Sequence, residues 1–428
     1  MPKFQKLYVF RMKRSLSCLT VFCLLHLLLP GIGFSEYEKP MTLKASSILT
    51  AEVRKGKHHE VEEQVRNDGI LNHYRINSPF GIFDAGSTAA LHIMVHEIEA
   101  IAAMKEVETD DTAVESLKNS GKNTAAGLKK LFTDPQETIE GAASGVSGLF
   151  NRAKGTVGKR ETTAGEDSKT SQLIGLSKSK GLIANKFGVN MYSANPVLQE
   201  ELDRLALADY LGGLGMGAAT SFVPGLGGFV LSTSNTARLL NESINTTPAS
   251  QLWLDNKNKL LAMKMNEDTV ELFLNNPAFT PAQTTVLVTA LDAMKGVANR
   301  ELYIKIALGA GDLQMARAIT STAVLMAGYH KNIAPLAKLT PFARLAKAEK
   351  NDGSIVLVLP ADHIIWSKKV GDVARSVAQS SQKEGGGKRQ NLELWVLGDF
   401  SKIAQENLES MGWELHTNAS KKLMPGKD

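Results

Sequence analysis

The stretch Ile355-Val356-Leu357-Val358-Leu359 is apolar throughout and rich in β-branched residues. A short run of this kind predicts a strand that is buried on both faces. Asn351-Asp352-Gly353 just before it is a typical hairpin turn, so residues 342–350 and 354–360 are predicted to pair as a hairpin. Ala and Lys dominate the first arm, and that composition suits a helix as well.

The chain that follows this strand alternates between helical and strand patterns. Lys383-Glu384-Gly385-Gly386-Gly387-Lys388 is typical of a surface loop. The predicted helices and strands around that loop are a helix over 367–382, a strand over 392–397, a helix over 400–411 and a strand over 413–417. We therefore predict a small α+β domain over residues 336–428.

The chain before this domain, residues 87–335, is predicted to be helical because apolar residues recur there at helical spacing. Several predicted helices begin with a capping residue followed by proline at the first helical position. These starts are Asp134-Pro135, Asn195-Pro196, Thr247-Pro248 and Thr280-Pro281. Residues 158–172 are charged and rich in Ser and Thr, so we expect a polar linker there.

Residues 36–86 are predicted to form an extended arm and a β-hairpin. Leu71–Ile76 and Phe80–Asp84 alternate apolar and polar residues, and Asn77-Ser78-Pro79 separates the two runs. The predicted fold class is therefore mainly α, a multi-helix protein with a short N-terminal β-hairpin and a small C-terminal α+β domain.

The first 35 residues have the pattern of a secretory signal peptide. A basic head precedes an apolar run from Leu16 to about Leu29, and Gly33 and Ser35 offer small residues for cleavage. The apolar run is shorter than the roughly 20 residues that a membrane span needs. We expect export, with the periplasm, the cell envelope or the medium as the destination.

The net positive charge and both cysteines of the chain come from this leader. It holds five basic residues, no acidic residue and both cysteines, so the remaining chain holds 44 basic and 44 acidic residues. A balanced charge gives no support to nucleic-acid binding. Without cysteine, residues 36–428 have no disulfide, thiolate nucleophile or cysteine metal ligand.

Residues 210–237 carry no charge and include seven glycines among 28 residues. The length is sufficient to cross a bilayer, and Gly213 and Gly217 form a G-x-x-x-G pair that lets apolar helices approach closely. Pro224-Gly225 interrupts the segment, so a helical hairpin fits as well as one straight span. The predicted membrane-contacting residues are Gly213, Gly217, Phe222, Pro224, Gly225 and Phe229. A helical hairpin buried in the protein core would have the same composition.

His92, His96 and Glu99 are the candidate metal ligands. On a helix these three residues lie within about 60° of one another, and two imidazoles with a carboxylate can bind Zn²⁺. The zinc-protease motif would need Glu at position 93, where the chain has Ile. Histidines at the border of a helix's apolar stripe are the alternative interpretation.

The chain lacks the G-x-S-x-G, P-loop and strand-linked G-x-G-x-x-G motifs. Asp362 and His363 follow the buried strand, and Asp399 stands at another strand end, so these residues are a second candidate site. Asp399 can equally be a turn or N-cap residue. No catalytic residue is assigned, and no cofactor is expected other than the possible Zn²⁺.

Several motifs together resemble those of a family of uncharacterised exported bacterial proteins. They are Asn77-Ser78-Pro79-Phe80-Gly81, Val95-His96-Glu97-Ile98, Met326-Ala327-Gly328-Tyr329-His330, and Leu394–Gly398 with Gly412-Trp413. The resemblance spans most of the chain after the leader. It implies bacterial export and carries no activity with it.

The leading functional hypothesis is a non-enzymatic exported protein that contacts a membrane through a Gly-rich helical hairpin. One alternative is an envelope metal-dependent hydrolase that uses the His92-His96-Glu99 face. Another is a soluble structural or interaction protein. The expected partner is a membrane or an envelope protein, and the sequence leaves the oligomeric state open.

Overall fold

The structure, a computed structural model, describes residues 37–107, 164–210, 235–342, 345–384 and 390–425. Its strands are β1 (Thr42–Lys44), β2 (Glu60–Val61), β3 (Gln64–Asn67), β4 (Asn72–Ser78), β5 (Gly81–Ala85), β6 (Lys338–Phe342), β7 (Leu345–Glu349), β8 (Ile355–Leu359), β9 (His363–Ile364), β10 (Leu392–Val396), β11 (Asp399–Phe400) and β12 (Trp413–His416).

The helices of the described residues are α1 (Ala45–Ile48), α2 (Ala51–Arg54), α3 (Thr88–Lys105), α4 (Ala164–Lys186), α5 (Pro196–Tyr210), α6 (Asn235–Thr246), α7 (Ala249–Ala262), α8 (Glu267–Leu274), α9 (Pro281–Ala293), α10 (Glu301–Ala307), α11 (Leu313–Asn332), α12 (Lys368–Glu384), α13 (Lys402–Ser410) and α14 (Ser420–Leu423).

The first sheet is antiparallel and lies near the N-terminus. β4 is its central strand and pairs with β2, β3 and β5, while β1 pairs with β3. Along β4, buried residues alternate with more exposed ones, as a strand with one face on a core requires. Tyr74 and Ile76 of that face pack in one apolar cluster with Leu91, Val95 and Ile98 of α3.

The helices begin where capping side chains satisfy the free N–H groups of the first turn. Ser87 Oγ accepts from the Ala90 N–H at 3.1 Å at the start of α3. Thr280 and Gln283 cap α9 reciprocally, with Pro281 at its first position. Pro196 begins α5 in the same way, and Asn195 accepts from the Val197 N–H. The starts of α5 and α9 were predicted at the same residues.

The second sheet lies in the middle of three layers. Its order is β12-β10-β8-β7-β6, and β8, β10 and β12 run parallel. Helix α12 connects β8 to β10, and α13 connects β10 to β12. Val356 and Val358 of β8 share a core with helices α8 to α11, while Ile355 and Leu357 share another with α12 and α13. The predicted double burial of this strand is confirmed.

The prediction of a mainly α protein is wrong, because the described residues form a mixed α/β structure with two five-stranded sheets. The predicted hairpin is present as β4 and β5, but residues 42–67, interpreted as an extended arm, supply β1, β2 and β3. These strands are two to four residues long. A period of two is not recognisable over so few residues. Pairing with neighbouring strands holds them in the sheet, β2 and β3 on β4 and β1 on β3.

Candidate functional site

The Gly-rich uncharged segment joins the described structure at the end of α5. Helices α4 and α5 run antiparallel, because Asp203 of α5 contacts Lys180 at 2.5 Å, while Tyr210, seven residues later, lies against Gly175. A Cβ on Gly175 would lie 2.6 Å from the Tyr210 ring. The N-terminal eleven residues of α4 therefore extend about 16 Å beyond Tyr210.

The N-terminus of α4 and the C-terminus of α5 therefore lie toward the same end of the helix pair, and both adjoin parts of the chain with Gly-rich apolar sequence. The stretch around 139–157 precedes the N-terminus of α4, and residues 211–234 follow the C-terminus of α5. Tyr210, the last described residue before the second stretch, is 42% exposed. The predicted contact residues Gly213, Gly217, Phe222, Pro224, Gly225 and Phe229 lie outside the described residues. Among the helices that are described, none combines the length and the apolar character that crossing a membrane requires.

The candidate metal ligands on α3 do not form a common site. The Nε2 of His96 lies 3.1 Å from the Gly188 carbonyl oxygen, to which it donates. Burial lowers the pKa of both His92 and His96, so each imidazole favours its neutral form. The carboxylate of Glu99 is hydrogen-bonded to residues that are distant from α3 in the sequence. Over the described ranges, no three His, Cys, Asp or Glu side chains form a group that could hold a metal ion.

Glu99 binds two histidines of the loop before β2, which the sequence analysis did not assign to any site. His58 Nδ1 lies 2.7 Å from one carboxylate oxygen of Glu99, and His59 Nδ1 lies 3.3 Å from the other. His59 is buried, and its Nε2 donates to the Val53 carbonyl oxygen at 3.1 Å. Burial tends to raise the pKa of Glu99, but the hydrogen bonds from the two histidines outweigh it and lower the pKa.

We predict that Glu99→Gln destabilises the protein at neutral pH and not in acid. A carboxyl whose pKa is lowered by folding stabilises the fold above its ordinary value, here 4.5, and this contribution is lost as pH falls through the lowered value. We expect the free energy of unfolding at pH 7 to fall by about 2 kcal/mol, typical of hydrogen bonds to a charged group. Urea unfolding across the acid range measures it.

Glu406→Gln is the matched control, because the Glu406 side chain is 63% exposed and lies 3.8 Å from Lys402. Exposed ion pairs of this kind contribute little to stability. A pH-independent loss for Glu99→Gln, or the same profile for both variants, would contradict the assignment.

A second polar cluster lies beyond the carboxyl ends of β8 and β10. Asp362 follows β8 and accepts from the Asn72 N–H at 2.9 Å and from the Thr88 N–H at 3.0 Å. Thr88 is the first residue of α3, so the carboxylate lies at the positive end of that helix. Burial raises the pKa of Asp362, although these hydrogen bonds oppose the rise.

His363 and Asp399 of the second predicted site lie next to each other in the structure. His363 and Asp399 are register partners in the short parallel pair of β9 and β11, and His363 Nδ1 is hydrogen-bonded to an oxygen of Asp399. Ser401, not Asp399, caps α13, because its Oγ accepts from the Ala404 N–H. Asp399 is therefore a partner of histidine rather than a cap. A nearby pair joins His73 Nε2 to Asp68 at 2.8 Å.

The β3–β4 turn occupies the space beside this cluster. The main-chain N–H groups of Asp362 and His363 point to the Ile70 carbonyl oxygen, at 3.0 and 3.2 Å, and Ile365 donates to Gly69. In open α/β sheets, the carboxyl ends of parallel strands are the usual ligand position. Here part of the edge is covered by the chain itself, so the cluster joins the two sheets.

A third polar cluster, around Glu393, was not found from the sequence. Glu393 is 7% exposed and accepts from Tyr329 Oη at 2.8 Å, from Trp395 Nε1 at 3.0 Å and from Lys350 Nζ at 2.8 Å. Burial tends to raise the pKa of Glu393, but these three donors outweigh it and lower the pKa. The sequence feature that could have indicated this cluster is a charged residue, Glu393, inside the apolar run Leu392–Leu397.

No protein-family model matches the chain, and no curated protein or solved structure is similar enough to count as a match. The functional assignment therefore depends on the residues and their geometry.

Proposed function

We propose that this chain is an exported, non-enzymatic protein of the cell envelope that contacts a membrane through residues 210–237. The contact residues in this proposal are Gly213, Gly217, Phe222, Pro224, Gly225 and Phe229. The sequence of residues 1–35 supports export. A membrane, or a protein embedded in it, is the proposed partner.

The position of Tyr210 is the observation that carries the proposal. The segment begins at the end of a helix, next to a half-exposed tyrosine, and tyrosine is enriched where proteins meet the membrane–water interface. The Gly-rich stretch around 139–157, with basic residues near its end, precedes α4 in the sequence, and the N-terminus of α4 lies toward the same end of the α4–α5 pair as Tyr210. A basic amphipathic stretch there suits an anionic membrane surface.

We predict that Gly217→Asp or Gly225→Asp releases the protein from membranes. A carboxylate in the apolar region of a bilayer costs about 2.5–3.5 kcal/mol, which corresponds to a loss of binding of at least about 50-fold. Co-sedimentation of the purified protein with vesicles containing anionic lipid measures the binding. Fractionation of the native host, with alkaline and urea washes of the membranes, tests the wild-type protein in place.

Gly311→Asp is the control for the added charge, because a Cβ there meets no atom within 4 Å and Gly311 is exposed between α10 and α11. It should bind vesicles like the wild type. If all three variants bind equally, residues 210–237 do not contact the membrane. If the wild type is wholly soluble in the host, the proposal fails and a soluble interaction protein takes its place.

A further inference from the structure

The two edges of the second sheet are protected very differently. At β6, Pro341 lacks an N–H, and Leu339 donates to the Ala298 carbonyl oxygen at 3.0 Å, so a loop covers that edge. At the other edge, β12 contains no proline. Among the described residues, none hydrogen-bonds to the outer side of its backbone.

The register of the sheet determines which main-chain groups of β12 face outward. The Ile355 N–H donates to the Asn391 carbonyl oxygen at 2.8 Å. The main-chain N–H and C=O groups of Asn391, Glu393 and Trp395 therefore face β8. The main-chain groups of Leu392, Leu394 and Val396 face β12. Because β12 is parallel to β10 and Glu393 is paired with Glu414, the main-chain groups of Glu414 and His416 face inward. Those of Trp413 and Leu415 face outward.

The sequence of this edge is complementary to itself when two copies run antiparallel. Pairing centred on Leu415 lets its N–H and C=O bond with those of Leu415 in a second copy. The same register places Glu414 opposite His416 of the second copy, at the shorter cross-strand separation. The Glu414 carboxylate, which lies 3.1 Å from Nε2 of its own His416, can then accept a hydrogen bond from His416 of the second copy. Such polar cross-strand pairs stabilise a sheet.

The side chains of this edge have the exposure that such pairing requires. The Glu414 side chain is 65% exposed, and His416 is held in place by stacking on Trp395 with ring centroids 3.8 Å apart. Leu415 is half-buried and packs at the margin of the cluster under α12 and α13. Two such leucines brought together across the edge would extend that cluster from one copy into the next.

We propose that two copies of this chain associate edge to edge through β12, antiparallel about Leu415, so that the second sheet continues from one copy into the other. The interface centres on a four-residue strand, which is small for a specific interface. The dimer therefore forms at micromolar or higher concentrations. This association is independent of membrane contact, because it uses residues of the described sheet only.

Sedimentation equilibrium of the purified full chain over a wide concentration range tests the proposal. Glu414→Lys replaces the hydrogen-bond acceptor opposite His416 with an ammonium group and should raise the dimer dissociation constant at least about tenfold. Glu406→Lys makes the same charge change on the exposed face of α13 and should leave the constant unchanged.

Leu415→Pro is the second variant. It removes an N–H that the monomer does not use, as edge strands tolerate, and it should give monomer at every concentration. Circular dichroism shows whether this variant folds, and if it does not, Glu414→Lys decides. A wild-type chain that stays monomeric overturns the proposal. A dimer of wild-type affinity in Glu414→Lys does so as well.

Discussion

Asp362→Ala should lower the free energy of unfolding by about 2–4 kcal/mol. The substitution leaves the main-chain N–H groups of Asn72 and Thr88 without their acceptor, and each part-buried donor left unpaired costs about 1–3 kcal/mol. It also removes the negative charge from the N-terminus of α3. Because Asp362 joins the two sheets, the N-terminal sheet should become more open to hydrogen exchange. Urea unfolding and amide exchange measure the two effects.

Asp362→Asn should be milder, because one oxygen of Asp362 already accepts from both N–H groups and an amide oxygen can do the same. The pH dependence has a definite sign. Burial raises the pKa of Asp362 above its ordinary 3.8, so ionisation costs stability as pH rises through this window. The wild type should therefore exceed the Asp362→Asn variant in free energy of unfolding by the largest amount in acid.

Asp399→Ala is the matched control on the same edge. Its side chain is 61% exposed and pairs with His363, so the change should cost less than about 1 kcal/mol. Equal losses for Asp362→Ala and Asp399→Ala would show that Asp362 does not hold the sheets together.

Gly398→Ala should destabilise the protein by more than about 3 kcal/mol or prevent folding. A Cβ at this position would lie 1.7 Å from the Asp362 carbonyl oxygen, a main-chain atom that cannot rotate away. The two loops are also bonded to each other on both sides. Gly398 donates to the Ala361 carbonyl oxygen at 2.9 Å, and Asp399 donates to that of Asp362 at 3.2 Å. Relief of the clash would break these bonds.

Gly311→Ala makes the same chemical change where a Cβ meets no atom within 4 Å. Its effect should stay within about 1 kcal/mol, and loss of backbone freedom in the unfolded chain favours a small gain. Soluble expression and thermal unfolding of both variants provide the comparison. A Gly398→Ala protein with the melting temperature of the wild type would contradict the close approach of the two loops.

The candidate sites differ in how much of them the sequence could predict. His363 and Asp399 were chosen because both follow predicted strands, and parallel strands bring such residues to one edge. His92, His96 and Glu99 share a helix face, as their spacing predicts. The spacing carries no information about His58 and His59, which lie about 40 positions before Glu99 and bind its carboxylate.

The sequence by itself determined the features that depend on neighbouring residues. The capped starts of α3, α5 and α9 come from side chains that bond N–H groups two or three positions later. The strands β8, β10 and β12 and the helices α12 and α13 follow from local apolar patterns and one Asp-Gly turn, and they occur within two residues of the predicted bounds. The short elements β9, β11 and α14 were not predicted.

Only the tertiary structure decided the five-stranded N-terminal sheet and the joining of the two sheets through Asp362. Strands of two to four residues are too short to show a pattern, and they persist because β4 supplies their hydrogen bonds. Asp362 binds N–H groups that precede it by 290 and 274 positions. Such contacts leave no periodicity in the chain, since their geometry arises only when the separate elements have packed.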